Sequence, residues 1–387
     1  MNIYESMQAL EEEALRKASF RRIIAKEQRG AHIFADGKEY VNLSSNDYLG
    51  LAADKELVKS FLSSVPQESL RFSSSGSPLL TGAHESYAKA QRICEDLFKK
   101  KAVFFNSGFA ANSGAISALA NLPKTIIIAD KYAHASIIDG MQKAGKFLRY
   151  AHNDYEHLEK LICKVYADYD NIVVATEGIF SMDGDKADIR RLAALKDRYP
   201  KLSLYVDEAH SFCVAGDDLL GLCSEQQLSA KIDFILCTCG KGLGSQGAFL
   251  LCNQIACDYF INTVRPLIFS TAMAPICYEH IAFMLANLGK FKNRRLRLQN
   301  MQAYLHEVFA RKGLLDISES HILALLTYDN DKALKACEFF KERGFYALPI
   351  RHPTVPLGKA RLRISLTAGL SDSEVEALAS AIEECKF

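Results

Sequence analysis

This chain lacks an excess of charge of either sign, and it lacks long apolar runs. Lysine and arginine number 47 against 46 aspartates and glutamates, which gives a formal net charge of +1. A balanced surface lacks the field that attracts nucleic acid or anionic lipid, and no run approaches the roughly 18 apolar residues of a membrane-spanning helix. The N-terminal stretch is acidic and amphipathic, unlike a signal peptide. We therefore expect a cytoplasmic protein with no nucleic-acid partner and no membrane partner.

Paired cysteines are missing as well. The chain has 11 cysteines, an odd number, and none of them forms a C-x-x-C pair. Zinc modules and small disulfide-stabilised domains both depend on such pairing. We therefore expect no metal site, and we interpret the cysteines as buried, small apolar residues in a reducing compartment.

Internal repeats, low-complexity tracts and proline-rich linkers are also absent. At about 150 residues per domain, the length of the chain predicts two or three tightly packed domains. Helical spacing over residues 4–28 and a turn at Asp36-Gly37 predict an N-terminal helical arm and a hairpin over 1–45. We predict a large α/β domain over 46–284 and a small α+β domain over 285–387. The last helix should begin at Ser371, which forms a capping box with Glu374.

Six short apolar runs alternate with polar helical stretches from about residue 100 onward: KAVFFNS, TIIIAD, NIVVATEG, LSLYVDEAH, DFILCTCGKG and GAFLLC. Runs that are apolar on both faces are typical of strands covered on both sides, which predicts a mostly parallel sheet in an α/β domain. Ligands of such sheets bind beyond the carboxyl ends of the strands. Polar residues occupy those ends here: Asn106, Asp130, Glu177, Asp207 and Lys241.

Two motifs suggest nucleotide binding, and their surroundings argue against both. VDEAH over 206–210 matches the acidic box of helicases, but no G-x-x-x-x-G-K-[ST] phosphate loop accompanies it. Residues 242–247 fit G-x-G-x-x-G, but a strand-like run over 248–252 follows where a dinucleotide fold needs a helix. A nucleotide-binding or helicase-like module is therefore the weaker, non-enzymatic alternative.

A third group of residues fits one cofactor. Asp207 with His210 and Thr238 with Lys241 follow neighbouring strands, and NSGFAAN over 106–112 leads into a helix whose N-terminus suits a phosphate. A lysine for covalent attachment, a phosphate cradle and an acid for the pyridine nitrogen are what pyridoxal phosphate requires. Each residue also has an ordinary interpretation: Asp207 as a helix cap, Lys241 as a solvated lysine, the histidines as satisfied side chains and Ser181 as a turn residue.

The order of motifs along the whole chain resembles the α-oxoamine synthases of the fold-type I pyridoxal-phosphate enzymes. The motifs are SSNDYLGL (44–51), NSGFAAN (106–112), DKYAHASIIDG (130–140), AHND (151–154), TEGIFSMDGD (176–185), VDEAH (206–210), TCGKGLG (238–244), FSTAM (269–273) and RLRISLTA (361–368). The resemblance implies an α/β fold-type I transferase with a large, mostly parallel domain and a smaller C-terminal α+β domain. Within the family, RHPTVPLGKARLRISLTA (351–368) is most similar to members that condense L-alanine with a pimeloyl thioester.

The resemblance also implies roles for individual residues. Lys241 would attach pyridoxal 5'-phosphate and move the substrate proton, Asp207 would pair with the ring nitrogen, and His134 would stack on the ring. The other implied cofactor contacts are His210, Ser181, Thr238, the backbone N–H groups of Gly108 and Phe109, and the partner's Thr271 in a homodimer with shared active sites. Arg363 would hold the amino-acid carboxylate in a bidentate manner, and Arg21, Asn46, Thr354 and His134 match further substrate contacts.

Three positions depart from the family pattern. A glycine-rich loop is replaced by the serine-rich residues 73–78, Cys213 occupies a glycine position, and Tyr87 aligns with a histidine. These departures leave the cofactor residues intact and concern the acyl-donor side. A relative with another amino acid and acyl donor is the nearest alternative, and an aminotransferase, which would need a second carboxylate-binding arginine, is the next.

The alternation of RLRIS in a strand predicts the direction of Arg363. Leu362 and Ile364 would fill the core of the small domain, which turns Arg361 and Arg363 toward the large domain. A pair of solvated edge-strand arginines is the ordinary alternative.

Overall fold

The computed structural model describes residues 2–16, 20, 22–143, 145–352 and 354–386. Its strands in these residues are β1 Glu27–Arg29, β2 His32–Ala35, β3 Lys38–Asn42, β4 Lys101–Phe105, β5 Thr125–Asp130, β6 Phe147–Tyr150, β7 Asn171–Glu177, β8 Leu202–Asp207, β9 Phe234–Thr238, β10 Ala248–Cys252, β11 Ile322–Tyr328, β12 Phe345–Tyr346, β13 Leu348–Ile350 and β14 Ala360–Ser365.

The helices are α1 Ile3–Arg16, α2 Lys55–Ser64, α3 Glu85–Phe98, α4 Gly108–Ala120, α5 Ala135–Gln142, α6 Tyr155–Val165, α7 Ile189–Arg198, α8 Leu222–Glu225, α9 Gln254–Thr263, α10 Arg265–Ile268, α11 Pro275–Ala286, α12 Lys292–Lys312, α13 Asn330–Glu342 and α14 Asp372–Glu384. Shorter helical turns span Gln67–Ser69, Pro78–Gly82, Ser229–Lys231 and Leu288–Phe291.

A seven-stranded sheet forms the centre of the protein. Its strand order is β4-β10-β9-β8-β7-β5-β6, and all of its pairings are parallel except those of β10, which runs antiparallel to both neighbours. Side chains alternate between two apolar layers: Val103 and Phe105 face one layer, and Ala102 and Phe104 face the other. Helices cover both faces, which confirms the predicted α/β architecture and its mostly parallel sheet.

The six predicted strands of this sheet are all present, but β6 was missed. It has only four residues, and its pattern is half-buried rather than apolar because it lies at the edge of the sheet beside β5 alone. An edge strand with one neighbour carries a weaker apolar signal than a central strand.

The N-terminal arm differs from its prediction. The described helix spans Ile3–Arg16, and residues 27–29 form a strand that pairs with β2 through a turn at Gly30 with φ of +57°. The predicted hairpin is confirmed, since Asp36 and Gly37 adopt φ of +52° and +73° between β2 and β3. β12 adds to β3 in parallel, so a strand from near the C-terminus completes the N-terminal sheet. The domain boundaries proposed above stay a prediction.

The C-terminal segment contains the sheet β11-β14-β13, which is antiparallel. Leu362 and Ile364 are fully buried in the core, as the alternation predicted. The capping box between Ser371 and Glu374 at the start of α14 is also confirmed.

No helix in the described residues is both long enough and apolar enough to cross a membrane. The cysteines are free thiols; most are buried as expected, but Cys163 is exposed on α6.

Candidate active site

Four of the five predicted strand-end residues line one cavity of about 340 Å³, namely Asn106, Glu177, Asp207 and Lys241, whereas Asp130 does not. The cavity lies at the carboxyl ends of β8 and β9, against the N-terminus of α4. Seven of the residues to which the resemblance gives a role line it: Gly108, Phe109, His134, Asp207, His210, Thr238 and Lys241. The parallel sheet brings together groups that are more than 130 positions apart in the sequence, because neighbouring parallel strands end at the same edge.

The N-terminus of α4 forms one wall of the cavity. Ser107 caps the helix by accepting a hydrogen bond from the Ala110 N–H, while the first-turn N–H groups of a helix have no partner within it. A Cβ atom at Gly108 would lie 2.5 Å from Cγ2 of Thr238, so glycine lets the helix start close to the end of β9. The result is a small, positively polarised cradle that suits a phosphate group.

Asp207 is held as an acid facing the cavity. It is 4% exposed, its Oδ2 accepts a hydrogen bond of 2.6 Å from Asn112, and its Oδ1 accepts one of 2.9 Å from the Ala209 N–H. No described helix begins directly after it, so the helix-cap interpretation does not apply. Asn112 also accepts from Tyr205 and donates to Ser136. Sequence reasoning missed Asn112 as the residue that orients Asp207, although it lies within NSGFAAN.

Lys241 lies in a chain of hydrogen-bonding groups. Its Nζ is 2.7 Å from His210 Nε2, and His210 Nδ1 is 2.5 Å from the hydroxyl of Tyr48. Burial lowers the pKa of Lys241 to about 8, although the charges of Asp207 and Glu177 act in the opposite direction. Burial and the nearby cation of Lys241 hold the pKa of His210 well below its usual value. Sequence reasoning missed Tyr48.

Glu177 supplies a second acid at the cavity. It is 2% exposed, and its Oε1 has no hydrogen-bond partner in the described part of the chain. Burial, followed by the charge of Asp207, raises its pKa well above the usual value. A buried polar atom that lines a cavity without a partner is typical of a site completed by a ligand.

His134 lines the same cavity and is exposed. It caps α5, and its Nδ1 is 2.7 Å from the Ser136 hydroxyl.

Arg363 lies just beyond this cavity and points toward the large domain, as predicted. Its Nε donates to the Ser181 carbonyl at 2.6 Å, and one terminal nitrogen donates to Asn46 Oδ1 at 3.1 Å. It is 9% exposed, so it is no solvated edge arginine. Arg361 forms a buried ion pair with Asp183 on the same loop as Ser181.

Five of the other residues with an implied role do not line the Lys241 cavity: Asn46, Ser181, Thr271, Thr354 and Arg363. Ser181 and Thr354 line a neighbouring cavity of about 470 Å³, together with Lys131, Tyr132, Arg149 and His352. Thr271 is exposed, and its carbonyl accepts a hydrogen bond of 2.8 Å from Asn106 of the same chain. Arg21 lies outside the described residues.

The three departures from the family pattern have clear local consequences. Cys213 has φ of +70°, a left-handed conformation that favours glycine. In the serine-rich loop, Ser74 donates to the Ala272 carbonyl at 2.8 Å and so fastens the loop to the segment that contains Thr271. Tyr87 packs edge-to-face on Phe104. The serine-rich loop and the Tyr87 side chain are therefore held by contacts within the chain.

The donor set fits pyridoxal phosphate. A lysine with a lowered pKa, a buried carboxylate held by an amide, and a helix N-terminus closed by a glycine provide the three attachments that the cofactor needs. The unpartnered oxygen of Glu177 adds a polar group for a ligand in the same cavity.

Comparison with known sequences points to the same chemistry. The family model described as aminotransferase class I and II matches residues 38–382. A protein of Pasteurella multocida named "Putative 8-amino-7-oxononanoate synthase" is 40% identical over 373 residues, which cover 94% of this chain and 95% of that protein. A protein of the same name from Glaesserella parasuis is 42% identical over 359 residues, with 92% and 94% coverage.

Solved structures share the whole architecture. Serine palmitoyltransferase of Sphingomonas wittichii has a TM-score of 0.88 and 26% identity, and the match covers 99% of this chain and 98% of that one. An 8-amino-7-oxononanoate synthase of Francisella tularensis has a TM-score of 0.74 and 26% identity over 89% of this chain and 97% of that one. The chain thus belongs to the class I and II aminotransferase family and, within it, to the α-oxoamine synthases, fold-type I transferases whose cofactor is pyridoxal phosphate.

Proposed function

We propose that this enzyme condenses L-alanine with a pimeloyl thioester, of coenzyme A or of a carrier protein, to form 8-amino-7-oxononanoate, a step of biotin synthesis in the cytoplasm. The thioester C–S bond breaks and releases the thiol, a C–C bond forms at Cα of alanine, and the alanine carboxyl leaves as CO₂. The relatives that match more than nine-tenths of the chain at about 40% identity are named for this reaction.

One structural observation carries the proposal: the buried side chain of Arg363 lies beside the Lys241 centre. Asn46 and the Ser181 carbonyl hold its guanidinium, which leaves donors for one amino-acid carboxylate. An aminotransferase would need a second carboxylate-binding arginine. The described residues that line the Lys241 cavity include no arginine, and Arg361 is paired with Asp183.

The residues around the cavity have separate roles in this reaction. Bound here, pyridoxal phosphate supplies an electron sink for the pair released from Cα. Lys241 would attach the cofactor, and its amine would take the Cα proton at Nζ, since its lowered pKa makes the neutral form accessible near pH 8. Asp207 would keep a proton on the ring nitrogen, and the N–H groups of Gly108 and Phe109 would bind the phosphate.

His134 and the neighbouring cavity complete the site. His134 lines the same cavity and would stack on the cofactor ring. The neighbouring cavity of about 470 Å³, with Ser181 on one side and Thr354 on the other, takes the acyl donor. Because Ser181 also holds Arg363, the two substrates meet at one loop.

We further propose a homodimer with shared active sites. An apolar patch beside the cavity is exposed in the single chain, with Phe72 87%, Leu80 80%, Phe269 70% and Phe109 48% exposed. One backbone hydrogen bond, from the Ala272 N–H to the Gly76 carbonyl, joins the loop that lies between Phe72 and Leu80 to the segment after Phe269. A second copy seated there would cover the apolar surface and bring the partner's Thr271 to the phosphate.

Product analysis tests the proposed reaction. The holoenzyme is mixed with L-alanine, glycine or L-serine and with pimeloyl, acetyl or palmitoyl thioesters, and the products are identified by mass spectrometry. We expect 8-amino-7-oxononanoate from alanine and a pimeloyl thioester. Preferential turnover of glycine with acetyl-CoA would instead identify a 2-amino-3-ketobutyrate CoA ligase, and turnover of serine with palmitoyl-CoA a serine palmitoyltransferase. Formation of pyridoxamine phosphate would identify an aminotransferase.

A further inference from the structure

The hydroxyl of Tyr48 lies in a chain of hydrogen bonds that runs from Asn46 to Lys241. It is 3.0 Å from Asn46 Oδ1 and 2.5 Å from His210 Nδ1, and His210 Nε2 is 2.7 Å from Lys241 Nζ. The Tyr48 side chain is fully buried, and its ring packs edge-to-face on His321 with centroids 4.1 Å apart. The hydroxyl can therefore donate to Asn46 or to His210, while the Arg363 guanidinium also hydrogen-bonds to it, and it has no access to solvent.

One hydroxyl proton has to serve these two partners. A neutral imidazole carries a single N–H, so His210 donates from one nitrogen and accepts at the other. When Lys241 is an ammonium ion, it donates to Nε2. The His210 proton must then lie on Nδ1 and point to Tyr48, whose own proton turns to Asn46. When Lys241 is a neutral amine, Nε2 can carry the proton, and Tyr48 donates to Nδ1.

A hydroxyl is the group that this position requires. It can both donate and accept, whereas an amide nitrogen only donates and a carboxylate only accepts. Asn46 supplies the alternative acceptor, and its oxygen is held in place by a second donor, Arg363, at 3.1 Å. The two arrangements differ by one proton, which Lys241 and His210 release to solvent through the cavity that they line, and by the position of the remaining imidazole proton; Tyr48 keeps its own proton and only rotates its hydroxyl.

We propose that Tyr48 is a positioning residue of the Lys241 centre, which stabilises the charged lysine by accepting the proton of His210 Nδ1 and the neutral lysine by donating to that nitrogen. This inference rests on the proposed role of Lys241 as the cofactor lysine. The charged or titratable groups that face the three members are Glu177, Asp207, His134, His321 and Arg363.

The tautomer of His210 gives a direct test without any variant of Tyr48. The ring ¹⁵N shifts of the histidine-labelled, cofactor-free full-length chain are followed from about pH 6 to about pH 10, and His210→Asn identifies the resonances. We expect the proton to move from Nδ1 to Nε2 with a midpoint near 8, the value to which the pKa of Lys241 is lowered. One unchanged tautomer across this range overturns the proposal.

Tyr48→Phe provides the second measurement. Without the hydroxyl, Nδ1–H loses its acceptor, His210 keeps its proton on Nε2, and that N–H then faces the ammonium ion of Lys241. The pKa of Lys241 should fall by about one unit or more. The pH dependence of the rate at which pyridoxal phosphate combines with the cofactor-free protein reports this pKa, because only the neutral amine reacts.

A matched control separates this effect from a general loss of a buried hydroxyl. Tyr278→Phe removes a hydroxyl from the aromatic core, where Tyr278 packs edge-to-face on Phe104, and it should leave the midpoint unchanged. A midpoint that stays at the wild-type value in Tyr48→Phe refutes the proposal. Failure of the cofactor to attach at Lys241 would refute the proposed function instead, while the histidine tautomer would still report on Tyr48.

Discussion

His152 is the residue whose replacement and titration most sharply test the structure around the site. Its Nδ1 is 2.9 Å from Asp130 and its Nε2 is 2.7 Å from Asp185, and its ring stacks on Tyr132 with centroids 4.3 Å apart. Asp130 ends β5, and Asp185 belongs to the loop after β7 that carries Ser181. The imidazolium therefore joins the sheet edge to the loop that holds Arg363.

The size of this effect follows from the pKa of His152. Burial lowers the pKa, but the hydrogen bonds and charges of Asp130 and Asp185 outweigh burial and raise it from 6.5 to about 9. Since the folded-state pKa is raised, the stabilisation is complete below about pH 6.5 and is lost as the pH rises through about 9. At about 1.4 kcal/mol per pKa unit, the shift corresponds to roughly 3 kcal/mol.

His152→Gln removes the titrating cation and keeps a polar side chain. With an unfolding entropy of about 2 cal/mol/K per residue, 3 kcal/mol corresponds to roughly 4 °C in the melting temperature of a chain of this length. Circular dichroism melts from about pH 6 to about pH 10 should show this gap between wild type and variant at low pH, and the gap should close above about pH 9. His84→Gln is the control, because the His84 side chain makes no capping hydrogen bond at its helix N-cap, and it should change the melting temperature little. A gap for His152→Gln that is the same at every pH would refute the reasoning.

Further predictions concern the cofactor and the amino acid. Borohydride reduction of the holoenzyme should fix a pyridoxyl group on Lys241, and peptide mapping that finds the label on another lysine would reject the assignment. Asp207→Asn should retain the bound cofactor but lose most turnover in a steady-state assay, because a neutral amide cannot stabilise the pyridinium in a buried site; near-normal turnover would contradict this role. Arg363→Ala should raise the alanine concentration needed for half-maximal rate by about 10- to 150-fold, since a charge-assisted contact contributes roughly 1.5–3 kcal/mol, and Arg363→Lys should restore it only in part. Arg361→Ala should lower the melting temperature, because it leaves Asp183 buried without its partner. If Arg361→Ala weakened alanine binding and Arg363→Ala did not, Arg361 would be the arginine that binds the alanine carboxylate.

Local patterns in the sequence were sufficient for much of the fold. Strands β4, β5, β7, β8, β9 and β10 were predicted because their apolarity on both faces reports burial on both faces. The Asp36-Gly37 turn and the capping box at Ser371 were predicted because their chemistry lies within four residues. The same local information placed Asp207 and Lys241 at strand ends, and the alternation in β14 gave the direction of Arg363.

Features that depend on distant neighbours could not be read in this way. The strand at residues 27–29 was assigned to the helical arm because its charged pattern is compatible with either structure, and only pairing with β2 decides between them. The edge strand β6 was missed because a strand with one neighbour needs little apolar surface.

The sequence by itself determined which chemical groups this protein has and which segments present them: a lysine in a glycine-rich loop, an acid at a strand end, and a helix that begins with glycine. Only the tertiary structure decided which groups contact one another, as in the chain from Asn46 through Tyr48 and His210 to Lys241. Tyr48 and His210 are 162 positions apart, and their contact depends on the packing of the whole domain. Hydrogen bonds act over about 3 Å, so a buried network is determined by tertiary packing rather than by any local pattern.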